Sequence, residues 1–456
     1  MLELLTSGGS ATRREFLQVG TLALGGLTLA QTLAARAAGA STEDAVRDKA
    51  VVVLFLAGGP SHIETFNPNM DAPAPYHSLT GQTATTVPGL SFGGTFPLLA
   101  QHAKKMAIVR SLQHSVGSHP QAIAHMLSGG NPTGASIGSI YSRLRGANHP
   151  ETGMPSNSMV SAPEVDSQYR TEKGRVKNGS SPGTLGPAYA PFDPADGGQV
   201  LKNMQLAIPR GRFDDRRALL SALDSMKRQV ESSDALAGAD KFTSQAYDLI
   251  LGGATEAFDL SQEDPRLVER YNTSQFRIGH KSFRKSNLGQ QMLMARRLVE
   301  AGCGFVTVQA AGWDMHADGN NPGIEKGMEM LGRPVDKAVS ACLEDLEQRG
   351  MSDRVLLIIT GDFGRTPKVN TRGGRDHWAN LCTLALAGGG ICQGQVIGQA
   401  GRNNDVPSSD PLTPGHLLST VLHYLFDLGT LRVLRGVPRD LLALAENGTP
   451  IPGLTS

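Results

Sequence analysis

The feature that most constrains the fold is a short apolar segment, residues 355–360 (VLLIIT), with charge before it and a glycine after it. An uninterrupted, β-branched run of this length is typical of a strand buried on both faces of a parallel sheet. Polar side chains follow abruptly, beginning with Asp362 and Arg365. Because ligands of open α/β sheets bind beyond the carboxyl ends of the strands, we expect a functional site in this loop.

Strand and helix patterns recur along the chain. Strands are predicted at residues 49–57, 106–110, 303–310 and 381–387, and helices at 121–127, 212–230, 287–301 and 324–349. The last helix is expected to be kinked or split near Pro334. This alternation predicts an α/β fold with a doubly wound, mostly parallel sheet and helices on both faces. The span from about 131 to 285 is rich in small and polar residues and has weak strand signals, which favours a mostly helical insertion.

Composition excludes some classes of partner. The net charge is +1 over 456 residues, whereas proteins that track nucleic-acid phosphates carry a clear basic excess, so we expect no nucleic-acid partner. The four cysteines lack metal-type spacing and lie on or beside apolar segments. We therefore expect buried thiols, with one bridge between Cys382 and Cys392 as an open alternative.

The first 40 residues have the pattern of a twin-arginine export signal. Arg13 and Arg14 precede a moderately apolar run at 19–33, which is followed by small residues at 34–40. The apolar run is too short and too rich in Gly and Thr to span a membrane. We predict that the export machinery delivers residues 41–456 to the periplasm or cell surface as one folded domain, without a transmembrane anchor after cleavage.

Two loops that follow predicted strands carry candidate functional residues. Gly58 and Gly59 follow the first strand and allow close approach of backbone or ligand, with His62 and Glu64 next in the same loop. The alternative is a tight turn whose His62 and Glu64 are solvated.

The loop after the second strand leads to Ser118, His119 and Pro120 at the start of a helix, where the positive helix end would stabilise a deprotonated nucleophile. Here the alternative is that Ser118 is only a helix cap and His119 is solvated.

Three further loops at strand ends supply aspartate and histidine. They carry Asp314 and His316, Asp362, and Asp376 with His377. In extended backbone, residues i and i+2 project to the same side, so Asp314 and His316 can bind one ion together. Carboxylate oxygens and imidazole nitrogens suit divalent Zn, Mn, Mg or Ca. Each residue alone would more often anchor a loop, but their common position at one sheet edge favours a metal site.

The motifs resemble a known family. The export signal, LFLAGGPSHIETFNP, AFDLSQED, ARRLVEAG, GWDMH, GDFGRTP and GRDHW together resemble the bacterial exported family known as domain of unknown function 1501. That family is placed in the alkaline-phosphatase and sulfatase superfamily, whose members hydrolyse or transfer phosphate and sulfate esters at a metal site. The resemblance implies an alkaline-phosphatase-like fold and an anionic ester as substrate.

The resemblance also implies roles for individual residues. Asp314, His316, Asp362 and His377 resemble the superfamily's metal ligands, although Phe363 stands where a further ligand would follow Asp362. Glu64 is a possible fifth ligand, since Gly58 and Gly59 occupy the place of the usual acidic ligands. Counting nine residues back from the Ser128-Gly129 pair reaches His119, with Ser118 beside it, as candidate nucleophiles.

The resemblance also suggests which residues bind the substrate and what the protein does. Arg365, Arg375 and His62 are candidates for holding the anionic ester, unless either arginine pairs with Asp362 or Asp376 to hold the loop. The expected function is an exported, metal-dependent hydrolase of phosphate or sulfate esters. A binding or scaffold protein that keeps the fold without turnover is the alternative from another class, and a phosphomutase or transferase is a third possibility.

Overall fold

A computed structural model of the protein describes residues 42–163, 165–193, 254–434 and 436–454. The predicted export signal, the predicted helix at 212–230 and part of the expected insertion lie outside these residues. The main sheet has seven strands: β1 Ala50–Ala57, β2 Met106–Val109, β3 Asn157–Ser161, β4 Phe305–Ala311, β5 Val355–Gly361, β6 Leu384–Gly388 and β7 Gln395–Ile397. Their spatial order is β7-β2-β6-β5-β1-β4-β3.

The sheet is mostly parallel, as predicted. Strand β1 pairs in parallel with both β4 and β5, β3 pairs in parallel with β4, and β7 pairs in parallel with β2. Strand β6 is antiparallel to its neighbours β5 and β2. The chain therefore returns from the end of β5 directly into β6, without a crossover helix.

Within the described ranges, the helices of nine residues or more are α1 His119–Ser128, α2 Ile137–Arg145, α3 Ser167–Gly179, α4 Leu288–Glu300, α5 Ile324–Gln348, α6 Pro414–Leu425 and α7 Arg439–Asn447. Short α-helices span Thr42–Ala45, His62–Thr65, Pro265–Arg270 and Leu428–Leu431, and 3-10 turns span Leu99–Lys105, Gly183–Leu185, Pro187–Tyr189, Ala254–Phe258 and Leu260–Gln262. Two-stranded ribbons pair Gln82–Ala84 with Ser91–Gly93, Arg277–Ile278 with Arg284–Lys285, and Gly364–Arg365 with His377–Trp378. Across the described part of the chain, no helix is both long enough and apolar enough to cross a bilayer.

The two faces of the sheet bury separate apolar clusters. On β1, Val52, Leu54 and Leu56 point into one cluster, and Val51 and Phe55 point into the other. Helices α4 and α5 cover the first face, while α1, α2 and α6 cover the second. This alternation explains why β1 reads as a continuous apolar run: both faces are covered by helices.

Several sequence predictions need correction in detail. Helix α5 is one continuous helix that includes Pro334, rather than two segments. Part of the expected insertion supplies β3, an edge strand of the main sheet. Strand β7 was not predicted. The four cysteines are free thiols, and Cys392 is exposed rather than buried.

The register of the central strands aligns their carboxyl ends. Ala57 of β1 pairs with Ala311 of β4, and Leu56 pairs with Gly361 of β5. The antiparallel β6 begins at Leu384, which pairs with Thr360 near the same edge. Consequently the segments that follow β1, β4 and β5, together with the segment that precedes β6, meet at one edge of the sheet.

Gly58 allows two of these segments to cross closely. Its φ is +110°, and a Cβ at this position would lie 2.5 Å from the backbone nitrogen of Asp314. Any larger residue would collide with backbone, and an L-residue would also be strained at this φ. The expectation that this glycine permits close approach of backbone is met, and the backbone that approaches is that of Trp313 and Asp314.

A buried carboxyl group fixes the loop after β4. The Gly312 N–H donates to Glu172 Oε2 of α3 at 2.5 Å, and Gln168 Nε2 donates to Glu172 Oε1 at 3.0 Å. Burial raises the pKa of Glu172 to about 8, although the bond from Gly312 acts in the opposite direction. The folded protein therefore keeps a proton on Glu172 at pH values where the unfolded chain has released it.

This proton predicts a pH dependence of stability. Between about pH 4.5 and about pH 8, the folded state binds one more proton than the unfolded state, so stability falls as pH rises, by up to about 1.4 kcal/mol per pH unit. Urea unfolding of wild type and Glu172→Gln across this range, with chelator present, measures the effect. The variant should show a flatter pH dependence, and equal slopes would contradict the assignment.

Candidate metal and active site

The carboxylate of Asp314 lies at the centre of a cluster of three imidazoles. Asp314 Oδ1 is 3.0 Å from His316 Nε2 and 3.4 Å from His377 Nε2, and Asp314 Oδ2 is 3.4 Å from His119 Nε2. The Nε2 atoms of His316 and His377 are themselves 2.9 Å apart. Ligand atoms of His119, Asp314 and His377 all lie within 4.8 Å of one another.

Each of the three imidazoles is held at its other nitrogen by an oxygen acceptor. His119 Nδ1 lies 2.5 Å from Asp362 Oδ2, His316 Nδ1 lies 2.8 Å from Asp376 Oδ1, and His377 Nδ1 lies 2.9 Å from the Gly117 carbonyl. Because a carboxylate or carbonyl oxygen accepts, each Nδ1 donates its proton outward. That arrangement points Nε2 of all three rings at Asp314, and it is how metal-binding histidines are usually oriented.

The chemistry of the donor set therefore fits a divalent cation. Three imidazole nitrogens and a carboxylate converge, and among the described residues only Arg365 contacts them as a competing donor. In addition, the Nε2 of buried His119 has no hydrogen-bond partner. The ring nitrogens lie close to one another, and a cation between them would form favourable bonds with each nitrogen.

The imidazoles and Arg365 offset the charge of Asp314. Burial alone would raise the pKa of Asp314, but the imidazoles of His119, His316 and His377 and the Arg365 charge hold that pKa far below its usual value. Burial alone would lower the pKa of His119, yet the adjacent carboxylates of Asp314 and Asp362 raise that pKa to about 9. The hydrogen bond to Asp314 also raises the pKa of His316.

Asp362 is fully buried, and its acceptor atoms are already engaged. Its Oδ1 accepts from the Gly58 N–H at 3.0 Å, its Oδ2 accepts from His119, and its carbonyl oxygen lies 2.7 Å from His114 Nε2. The sequence predicted Asp362 as a metal ligand. The structure brings it to the cluster as the group that orients His119.

The ring of Phe363 packs against the rings of two of the histidines. Its ring centroid lies 4.9 Å from that of His119 and 4.4 Å from that of His377. Phe363 is completely buried. The residue that stands in the place of an expected ligand therefore packs against two imidazoles and restricts their rotation.

Arg365 is buried against the cluster and is held by protein atoms. Its Nη2 lies 2.5 Å from Asp314 Oδ1, its Nε donates to the Gly59 carbonyl at 2.8 Å, and it also donates to the Gly58 carbonyl. This guanidinium ties the loop after β1 to Asp314. It was expected to hold substrate, but in the structure it holds the site together.

Glu64 and Arg375 form a separate buried ion pair. Arg375 Nη2 lies 3.0 Å from Glu64 Oε1, and both side chains are completely buried. Glu64 also accepts hydrogen bonds from Ser78 and Thr80, while Arg375 also donates to the His77 carbonyl. The structure does not bring either predicted residue into the cluster, and the alternative that Arg375 holds its loop by pairing is met with Glu64 as its partner.

The remaining two predicted residues also lie outside the cluster. His62 Nε2 is 3.0 Å from the Asn404 carbonyl, and burial lowers the pKa of His62 to about 4. Ser118 is exposed, and its hydroxyl donates to Gln121 of the same helix. Neither side chain forms a hydrogen bond, ion pair or ring contact with Asp314 or the three imidazoles.

The cluster is buried on one side and open on the other. The side chains of Asp314 and His119 are 9% and 8% exposed, whereas those of His377 and Asp376 are 28% and 54% exposed. A small molecule can therefore approach from the side of His316, His377 and Asp376. That is also the side on which ribbon Gly364–Arg365 with His377–Trp378 lies.

Sequence reasoning missed the groups that orient the histidines. The sequence analysis placed Asp376 among the polar residues at the sheet edge and as an alternative arginine partner, but gave it no orienting role, and it gave the Gly117 carbonyl and His114 no role. Only Asp376 carried a usable signal, because a carboxylate beside a candidate ligand is a common orienting partner. A backbone carbonyl carries none, since every residue has one.

Solved structures similar to this chain share little sequence with it. Lipoteichoic acid synthase LtaP from Listeria monocytogenes is 8% identical, with 89% of this chain and 77% of that chain covered and a TM-score of 0.38. PsFucS1 sulfatase from Pseudoalteromonas sp. is 11% identical, with 92% and 77% covered and a TM-score of 0.33. Alkaline phosphatase from the Antarctic bacterium TAB5 is 12% identical, with 85% and 98% covered and a TM-score of 0.31. No curated protein matches the sequence.

The sheet and the cluster at its edge define an α/β protein with a His/Asp site beyond the carboxyl ends of its parallel strands. Residues 48–432 match the family described as "Protein of unknown function (DUF1501)", and the chain belongs to that family. The family indicated by the sequence motifs is thereby confirmed.

Substitution of Glu64 distinguishes a structural role in the buried ion pair from a role as a metal ligand. Glu64→Gln leaves Arg375 charged and unpaired inside the protein, which should lower the free energy of unfolding by about 3–5 kcal/mol. Because Glu64 lies outside the cluster, the folded variant should retain the metal content of wild type. Urea unfolding and elemental mass spectrometry measure the two quantities. Loss of metal from a folded Glu64→Gln protein would instead make Glu64 a ligand.

Proposed function

We propose that this protein binds one divalent metal ion through Asp314, His119, His316 and His377 and hydrolyses a phosphate or sulfate ester there. The observation that carries the proposal is the orientation of the three imidazoles, whose Nδ1 atoms donate outward and whose Nε2 atoms face one carboxylate. Three protein nitrogens, one carboxylate and an open side match the needs of a catalytic metal site better than those of a closed structural one.

The ligand types bear on which metal is bound. Ca and Mg prefer sites made almost wholly of oxygen, whereas imidazole-rich sites favour Zn and other transition metals. Of the four metals considered from the sequence, Zn and Mn fit this set better than Ca and Mg. Asp362, Asp376 and the Gly117 carbonyl would serve as the groups that fix the ligands.

The remaining catalytic roles are those of the attacking group and the proton acceptor. A bound divalent ion would supply a Lewis acid for an ester oxygen and would lower the pKa of a bound water. Ser118 donates to Gln121 and lies outside the cluster, and both ring nitrogens of His119 face carboxylates. We therefore assign the attack to water rather than to either predicted nucleophile, with Asp376 on the open side as a candidate proton acceptor.

A second function is favoured by one specific observation. Arg365 and Arg375 are both completely buried and bonded to protein atoms, so neither is free to grip an anionic ester. A protein that binds metal at this site without turnover, as an exported binding or scaffold protein, is consistent with that arrangement. Hydrolysis and metal content together distinguish the two functions.

We also propose that the protein is exported in folded form through the pattern at Arg13 and Arg14. This route would allow the metal to be bound before export. Recovery of the processed chain from the periplasmic fraction supports the proposal, and recovery of only full-length chain from the cytoplasm would contradict it.

Metal content is the first prediction of the proposed site. Wild type should contain about one divalent ion per chain, and His377→Ala should contain none because it removes a ligand from the open side. Asp376→Ala should bind the metal about 10- to 100-fold more weakly, since Asp376 orients the ligand His316 without being a ligand itself. Elemental mass spectrometry and metal titration give these values.

A matched control tests whether any histidine loss has the same effect. His102 Nε2 also faces a carboxylate, lying 3.4 Å from Glu344 Oε1, but it is remote from the cluster residues. His102→Ala should keep the full metal content. A folded wild type without metal in the presence of excess Zn and Mn would overturn the proposed function.

Hydrolysis is the second prediction. The metal-loaded protein should cleave 4-nitrophenyl phosphate or 4-nitrophenyl sulfate, and a chelator or His377→Ala should abolish the activity while His102→Ala retains it. Release of 4-nitrophenolate measures the rate. Stoichiometric metal without cleavage of either ester would reject the hydrolase and leave the binding protein standing.

A further inference from the structure

Apart from the metal cluster, the protein has a pocket beyond the end of β4, on the face covered by α4 and α5. Its walls come from α3, α4, α5 and the ribbon Arg277–Ile278 with Arg284–Lys285, and its cavity volume is about 40 Å³. Trp313 lines it and directly precedes Asp314, but the indole packs in the apolar core while the Asp314 carboxylate faces the histidines. The pocket therefore does not share its lining with the metal cluster.

Three nitrogen donors in the lining lack partners. Trp313 Nε1, Gln309 Nε2 and Arg284 Nε have no hydrogen-bond partner among the described residues. Trp313 and Gln309 are 1% and 3% exposed, so bulk water does not satisfy them. Because leaving a buried donor unpaired is destabilising, these donors indicate that the pocket holds an acceptor.

The charge of the lining selects an anion. Arg284 and Lys173 both line the pocket, and no carboxylate in the described part of the chain forms an ion pair with either. Arg284 Nη1 donates to the Lys285 carbonyl and to Asn287 Oδ1, which fixes the guanidinium without neutralising it. Two positive groups and unpaired donors favour an anionic acceptor over a neutral one.

The lining also selects among anions. Phosphate and sulfate present oxygen atoms on every side, whereas an organic carboxylate has one polar end and one apolar end. The apolar side chains Leu331, Pro334 and Val335 of α5 provide the surface for a short hydrocarbon chain attached to the carboxylate.

We propose that this pocket is a binding site for a small organic carboxylate, held by Arg284, Trp313 Nε1 and Gln309 Nε2. Lys173 adds long-range attraction at the half-buried side of the pocket. Since none of these residues belongs to the metal cluster, carboxylate binding is independent of ester hydrolysis.

Tryptophan fluorescence tests the site directly. The chain has two tryptophans, Trp313 and Trp378, so a Trp378→Phe protein reports on Trp313 alone. Propionate should change its emission with saturation, whereas neutral propionamide should not. Phosphate and sulfate should bind at least about tenfold more weakly because they would place oxygen atoms against the apolar side chains of the lining. Calorimetric titration of wild type with propionate checks that the Trp378 replacement has not created the site.

Variants assign the binding to the named residues. Arg284→Gln in the Trp378→Phe protein should weaken propionate binding by about tenfold or more, because it removes a charged donor. Lys285→Gln is the matched control: it lies next in the same strand and loses the same charge, but its side chain is exposed and does not line the pocket. His377→Ala should lose metal yet still bind propionate.

Three outcomes would overturn the proposal. Absence of a saturable response to propionate, in protein that unfolds at the wild-type temperature, would mean that the donors are satisfied by buried water only. Equal binding of phosphate or sulfate would reject the carboxylate. Equal weakening by Lys285→Gln would reduce the effect of Arg284→Gln to general charge.

Discussion

The candidate site depends on the alignment of the carboxyl ends of β1, β4 and β5. The paired register brings Ala57, Ala311 and Gly361 to the same edge, and parallel strands then release their loops together. Asp362 joins these loops through the Gly58 N–H and His119. A shift of one residue in this register would turn Asp362 to the other face of the sheet and separate it from both partners.

Buried charge is used at this edge in two different ways. Around Asp314, several donors share one carboxylate and three imidazole nitrogens face it, so the arrangement offers a set of ligands to a divalent ion. Around Glu64, one guanidinium and hydroxyl donors saturate the carboxylate completely. The first arrangement suits a site, and the second holds the loops that surround it.

Much of the site could be predicted because its ligands follow buried strands. Asp314, His316, Asp362 and His377 all come together as expected from strand ends at one edge. The division between ligands and orienting groups could not be predicted, since Asp and His serve in both roles. Glu64 and Arg375 were misplaced for a related reason: residues 311 positions apart in sequence pair only once the loops have folded over each other.

The sequence by itself determined the α/β class, the mostly parallel sheet and the edge where the polar residues collect, because doubly buried strands impose continuous apolar runs. Only the tertiary structure decided the antiparallel course of β6, the edge strand β3, the direction of each imidazole and the pocket around Trp313. These features depend on pairing and packing between segments distant in sequence, and local patterns of hydrophobicity do not encode which partner a buried polar atom will meet.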